Sequence, residues 1–179
     1  MPMRDYAVIM SRYNQWMNDK LYAAAGRLST DEFTAKRGAF FGSVCGTLNH
    51  ILVADIIWLK RFAGHPSRHV ALEPVRALPM PAVLNQVLHK QLAPLLVQRK
   101  QLDGVIRQWA DSLNGQDLDQ VLHYANTKGV EFNRPMADLV MHFFNHQTHH
   151  RGQATTLLTQ LGQDVGVTDL VAMLSEQRP

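Results

Sequence analysis

Histidine stands out in this sequence: nine occur in 179 residues, and His142, His146, His149 and His150 fall close together. Imidazole is the commonest side-chain ligand for transition metals and titrates near neutrality. A histidine cluster can therefore hold a metal or move protons, or it can simply be hydrogen-bonded. On an α-helix a four-residue step turns about 400°. That leaves His142, His146 and His150 on one face, each about 40° from the last. Two neighbours in such a row can converge on one ion, but His142 and His150 are about 12 Å apart along the axis, too far to share one. His149 is rotated about 100° from His150.

A catalytic metal usually takes three protein ligands and keeps a position open, so one pair from this row needs a third ligand from elsewhere. His65 and His69 lie in a Pro-rich connection, His89 on a third long helix and His123 in a hairpin. His50 differs from these in lying deep within an apolar helix. Spacing alone leaves two readings open, metal ligands or solvated and hydrogen-bonded core histidines. Position 147 is Gln, so the HExxH pattern with its glutamate base is absent.

The elements that carry these residues read as helical. Tyr6, Ile9, Met10, Tyr13, Trp16, Met17, Leu21 and Ala24 recur at three- and four-residue steps, an amphipathic first helix that Gly26 can end. Ser29 and Glu32 form a capping-box start for a short segment. A second long helix is predicted from Ser43 as N-cap to Phe62. After a connection marked by Pro66, Pro74, Pro79 and Pro81, a third is predicted from Ala82 to Leu113, kinked or split by Pro94. Val121–Tyr124 and Val130–Phe132 around Asn126 and Gly129 predict a small hairpin. A fourth helix, with Pro135 in its first turn, runs to Leu161 with Gly162 as its stop, and a short C-terminal helix covers Thr168 to Ser175. The expected fold is all-α, a four-helix bundle in a single domain over residues 1–179.

Composition removes several classes. The chain is 46% hydrophobic and 18% charged, with a formal net charge of +3. Its basic residues are spread singly or in pairs such as Lys60-Arg61, so no nucleic-acid partner is expected. The most apolar run, Leu48 to Leu59, is broken by Asn49, His50 and Asp55, so no membrane span is expected. Polar residues interrupt the first 25 positions where a signal peptide needs an apolar stretch, and Cys45 has no partner for a disulfide. A cytoplasmic location is the expectation.

Three segments, Tyr13-Asn14-Gln15-Trp16-Met17-Asn18, Thr47 to Phe62, and Asn145-His146-Gln147-Thr148-His149-His150-Arg151-Gly152-Gln153, resemble the DinB-like family in that order, and the resemblance spans nearly the whole chain. It implies an up-down-down-up four-helix bundle, usually a homodimer, with a divalent metal held by three histidines. Carried over by position, the ligands are His50, His146 and His150. His142 and His149 match no ligand position and are read as structural neighbours. The resemblance also implies activities: family members include transferases that use low-molecular-weight thiols such as bacillithiol or mycothiol, and a mycothiol-dependent isomerase, while many have no established activity.

The leading expectation is a metal-dependent thiol S-transferase acting on a small electrophile, with zinc or nickel as the ion, although three imidazoles also suit iron and copper. The alternatives are a hydrolase that uses metal-bound water and a non-catalytic metal-binding protein linked to stress. Hydrolysis needs a base, and neither Asp55 nor Asp138 stands beside the cluster. Arg151 and Gln153 invite a substrate-binding role, because a thiol cofactor carries carboxylates that arginine can grip. Cys45 reads as a small buried residue rather than a nucleophile. Trp16, Trp58 and Trp109 are candidates to line a cleft, and aromatic residues at helical spacing equally suit the core. Arg61 and Asp55 read as organisers of helix contacts.

Overall fold

The computed structural model describes residues 1–176. It is mostly helical. α1 (Met3–Ala25) is followed by α2 (Thr30–Thr34), whose start is the Ser29–Glu32 capping box. α3 (Val44–Phe62) begins at Ser43, whose hydroxyl accepts the Gly46 N–H at 3.0 Å. A 3₁₀ turn at Val70–Leu72 runs into α4 (Glu73–Arg76), and α5 (Leu92–Ser112) and α6 (Gly115–Leu118) follow. β1 (Val121–Ala125) and β2 (Glu131–Pro135) form an antiparallel hairpin, and then come α7 (Met136–Gln160) and α8 (Leu170–Glu176). No helix among the described residues is long and apolar enough to cross a membrane.

Each long helix packs on two others, α1 and α3 both lying against α5 and α7. Apolar side chains such as Leu21, Leu52, Phe62, Trp109, Phe143 and Phe144 fill the space between them, all at most 1% exposed, and Trp109 and Phe62 stack with centroids 4.7 Å apart. Contact pairs show how the helices run. Along α1 and α5, Asn18 meets Asp103 while Arg4 reaches the Leu113 carbonyl, so the numbers run in opposite senses. Along α3 and α7 they also oppose, with His50 facing His150 and Trp58 facing His142. In the other two pairings they rise together: Tyr6 with Phe144 and Asn14 with Arg151, then Asp55 with Arg99 and Phe62 with Trp109.

A buried polar layer ties all four together. Asp55 of α3 accepts from Arg99 Nη1 of α5 at 2.5 Å and from Gln147 Nε2 of α7 at 2.9 Å. Asp103, paired with Arg99 at 3.0 Å, accepts from Asn14 and Asn18 of α1, both at 2.9 Å. Charges this deep survive only when paired and hydrogen-bonded. Burial still pushes the Asp103 carboxyl up to about 6, against the opposing pull of Arg99.

The third long helix departs from expectation. It spans Leu92–Ser112 rather than starting at Ala82, and Pro94 neither kinks nor splits it. Pro94 is the third helical residue, where a backbone N–H has no acceptor within the helix to lose. The residues before it are pinned to α3 instead: Asn49 donates to the His89 carbonyl and accepts the His89 N–H, each at 2.9 Å. Those two bonds, and a third from His50 to the Leu84 carbonyl, replace the helical ones that the apolar spacing of Val83, Leu84, Val87 and Leu88 had suggested. Pro135 caps α7 from outside rather than occupying its first turn.

Candidate metal centre

α3 and α7 run side by side, so a residue midway along α3 faces two successive turns of α7. His50 Nε2 lies 3.3 Å from His146 Nε2 and 3.2 Å from His150 Nε2. Tetrahedral coordination at about 2.0–2.1 Å per nitrogen puts ligand atoms about 3.3–3.4 Å apart, so His50 Nε2 already holds that spacing to both α7 imidazoles, and all three ligand atoms lie within 4.8 Å of one another.

The tautomers agree with this. His50 donates Nδ1–H to the Leu84 carbonyl at 2.8 Å, which leaves the lone pair on Nε2. His150 directs Nδ1 at Gln153 Oε1, 2.9 Å away, while Gln153 Nε2 lies 3.1 Å from His149 Nε2. With the Gln153 amide donating to His149, its oxygen accepts from His150, and His150 Nε2 also keeps its lone pair. Lone pairs converging at this distance repel unless a cation or a proton stands among them, and protonation is disfavoured here. Burial, with the like-charged neighbours adding to it, lowers His146 to about 3, and burial lowers His50 to about 4. His150 is lowered too. Neutral imidazoles at neutral pH are the form a metal requires.

Packing fixes the rings further. Phe41 stacks on His50 with centroids 3.7 Å apart and planes 14° apart, and meets the edge of His150 at 5.4 Å. The segment carrying Phe41 can sit this close to α3 because position 46 is glycine. A Cβ there would lie 1.9 Å from the Phe41 carbonyl oxygen. His50 is 4% exposed, whereas His146 and His150 are half-buried, so the site reaches solvent on its α7 side.

Of the remaining candidates, His142 lies outside the trio, beside Trp58 at 5.0 Å and with its ring 6.0 Å from His146. His149 touches His150 at 4.8 Å and is bridged to it by Gln153. Arg151 is buried in the polar layer, 2% exposed, donating to Asn14 Oδ1 and to Thr148 Oγ1 at 3.1 Å. No substrate carboxylate reaches a guanidinium so enclosed, and the role expected for Arg151 gives way to bracing α1 against α7. Gln153 orients His150. Cys45 is buried beside the His89 and Lys90 carbonyls, and burial pushes its thiol up, which suits the structural reading. Trp109 is core, while Trp58 is half-buried under the Arg61 guanidinium at 4.5 Å. Asp55, held by Arg99 and Gln147, is not free to act as a base. Sequence reasoning missed Phe41 and the Leu84 carbonyl. A backbone acceptor in an irregular segment leaves no mark in residue types, although Gly46 in the first turn of an apolar helix was a signal of close approach.

The sequence profile of the DinB family matches residues 3–178. Protein DinB of Bacillus subtilis (strain 168) is 23% identical over 167 residues, covering 93% of this chain and 92% of the relative. No solved structure matches.

Proposed function

This chain belongs to the DinB family, and from that premise we propose that it is a metal-dependent thiol S-transferase, with His50, His146 and His150 holding a zinc or nickel ion. The observation that carries the metal reading is the convergence of three Nε2 atoms at 3.2–3.3 Å around His50, with the tautomers of His50 and His150 set from behind. When bound, the ion supplies positive charge that favours the ionised form of a thiol. The chain's own contributions are positional. Leu84 and Gln153 keep two Nε2 lone pairs inward, Phe41 keeps water from the His50 side, and the half-buried α7 side admits the thiol. In the transfer the thiol loses its proton to solvent, its sulfur forms the new bond to an electrophilic carbon, and the leaving group departs with its electron pair.

Hydrolysis at the same site ranks below this reading because Asp55 is committed to Arg99 and Gln147. The proposal takes a small electrophile and a low-molecular-weight thiol as partners, a homodimer as the assembly, and an up-down-down-up order of the long helices, which the contact pairs along them support. The test is a panel of thiols offered to chromogenic electrophiles with zinc- or nickel-loaded protein. Conjugation that disappears with chelation and with His146→Ala is expected. No conjugation across the panel, with chelation changing nothing, would remove the transferase reading.

A further inference from the structure

Just past the end of α3, a second group of ligand atoms is assembled from residues far apart in the chain. His65 and His69 flank a turn in which Arg68 takes a left-handed backbone (φ 47°), and Asp117 comes from α6. One ligand atom from each of the three lies within 4.8 Å of the others, and all three residues are buried, at 1%, 7% and 2% exposure.

The hydrogen bonds say which atoms are available. Ser112 gives its own proton to the Trp109 carbonyl at 2.8 Å, so at 3.1 Å its oxygen accepts Nδ1–H from His69. His69 Nε2 therefore keeps its lone pair, and it faces Asp117 Oδ2 at 3.7 Å with no hydrogen-bond partner. An imidazole lone pair and a carboxylate oxygen, both buried and facing each other, call for positive charge between them. A proton on His69 is opposed by burial, which lowers that group despite Asp117. His65 Nε2 is buried and unpartnered in the same space. Joining an ion through it costs His65 the 3.2 Å bond that Nδ1 accepts from the Ser67 N–H, since an Nε2-ligated neutral imidazole carries its proton on Nδ1. Asp117 is itself held, by the Ser67 hydroxyl and by the Asn114 N–H at 3.0 Å. A cleft of about 520 Å³ lined by Gly64, His65, Pro66, Arg68, Glu73 and Arg76 opens beside the His65 member of the group.

We propose that His65, His69 and Asp117 form a second divalent-cation site. Two imidazoles and a carboxylate are a donor set for zinc or a similar borderline ion. The site clamps the turn after α3 to the junction of α5 and α6, and it stands roughly 20 Å along the bundle from His50. It does not rest on the transferase reading.

The test is metal content of the full chain after zinc loading and removal of weakly held ion by gel filtration. Wild-type protein is expected to retain two equivalents, His146→Ala/His150→Ala one, and that double variant with His69→Gln added none. Thermal unfolding of the double variant is expected to shift upward with zinc and to return with chelator. One equivalent in wild type that is lost in the double variant, with no zinc-dependent shift left, would overturn the second site. So would retention of two equivalents by the single variant His69→Gln. One equivalent that survives in the double variant and vanishes with His69→Gln upholds the second site while removing the three-histidine centre. If His69→Gln does not fold, the double variant alone decides between one equivalent and none, and Ser112→Ala, which frees the His69 ring, is expected to weaken its zinc about tenfold.

Discussion

The two histidine clusters of this protein are made by different devices. His50, His146 and His150 sit on two long helices, so helix geometry alone repeats an imidazole every turn of α7 and brings a third across from α3. His65, His69 and Asp117 come from a turn and a short capped helix, and nothing periodic joins them. Exposure separates them as well. In the first cluster His146 and His150 are half-buried and open towards solvent. In the second all three are buried. The first arrangement suits chemistry on an incoming molecule and the second suits a clamp. Placing a metal-binding residue type on a regular element gives precision, and placing it in a turn gives a cross-link between segments far apart in the chain.

The largest effect that would break this comparison comes from the α7 ligands. His146→Ala/His150→Ala is expected to weaken metal at the first site more than 100-fold and abolish thiol conjugation, leaving apo-protein unfolding within a few degrees of wild type, since both side chains are half-buried. Competition with a chromogenic chelator and a melting curve check it. Gly46→Ala is expected next. Its Cβ would drive the Phe41 carbonyl away and lift Phe41 off His50, weakening metal about 10- to 100-fold at the first site while leaving the zinc-dependent melting shift of the second unchanged. Gln153→Leu removes the acceptor behind His150 Nδ1 and is expected to cost about tenfold at the first site alone.

The smallest effect is on pH dependence without metal. His50 and His146, lowered to about 4 and about 3 by burial, are protonated in the unfolded chain at a pH where the folded chain leaves them neutral. The unfolded state then binds more protons, so stability falls as pH drops from about 6.5 towards 4 and does not change for this reason above 7. Denaturant midpoints of metal-free protein across that window should show the fall, and His146→Ala should flatten it.

What the sequence made legible follows the same division. Helix starts at Ser29 and Ser43, the hairpin around Gly129 and the stop at Gly162 all depend on a few neighbouring residues. The HxxxH step on α7 and the lone His50 of an apolar helix were likewise visible. Residues 82–91 were not, because their apolar spacing suits a helix and the side chains of Asn49 and His50, some 34 to 40 positions away, hold them in another course. The polar layer was hidden for the same reason. Asp55 reads as an organiser of helix contacts, but its partners Arg99 and Gln147, and Asp103 beyond them, meet it only when the long helices pack. Asp117 closes the capping box of α6 with Asn114, and its approach to His69 depends on how the turn after α3 folds back.

The central claim is that His50, His146 and His150 hold one divalent ion together. X-ray absorption at the zinc edge of His69→Gln protein carrying one equivalent tests it most directly, since that variant isolates the first site. The account predicts three imidazole nitrogens at about 2.0–2.1 Å and no sulfur. Failure of this protein to retain zinc, or a spectrum with fewer than three imidazoles, would contradict it.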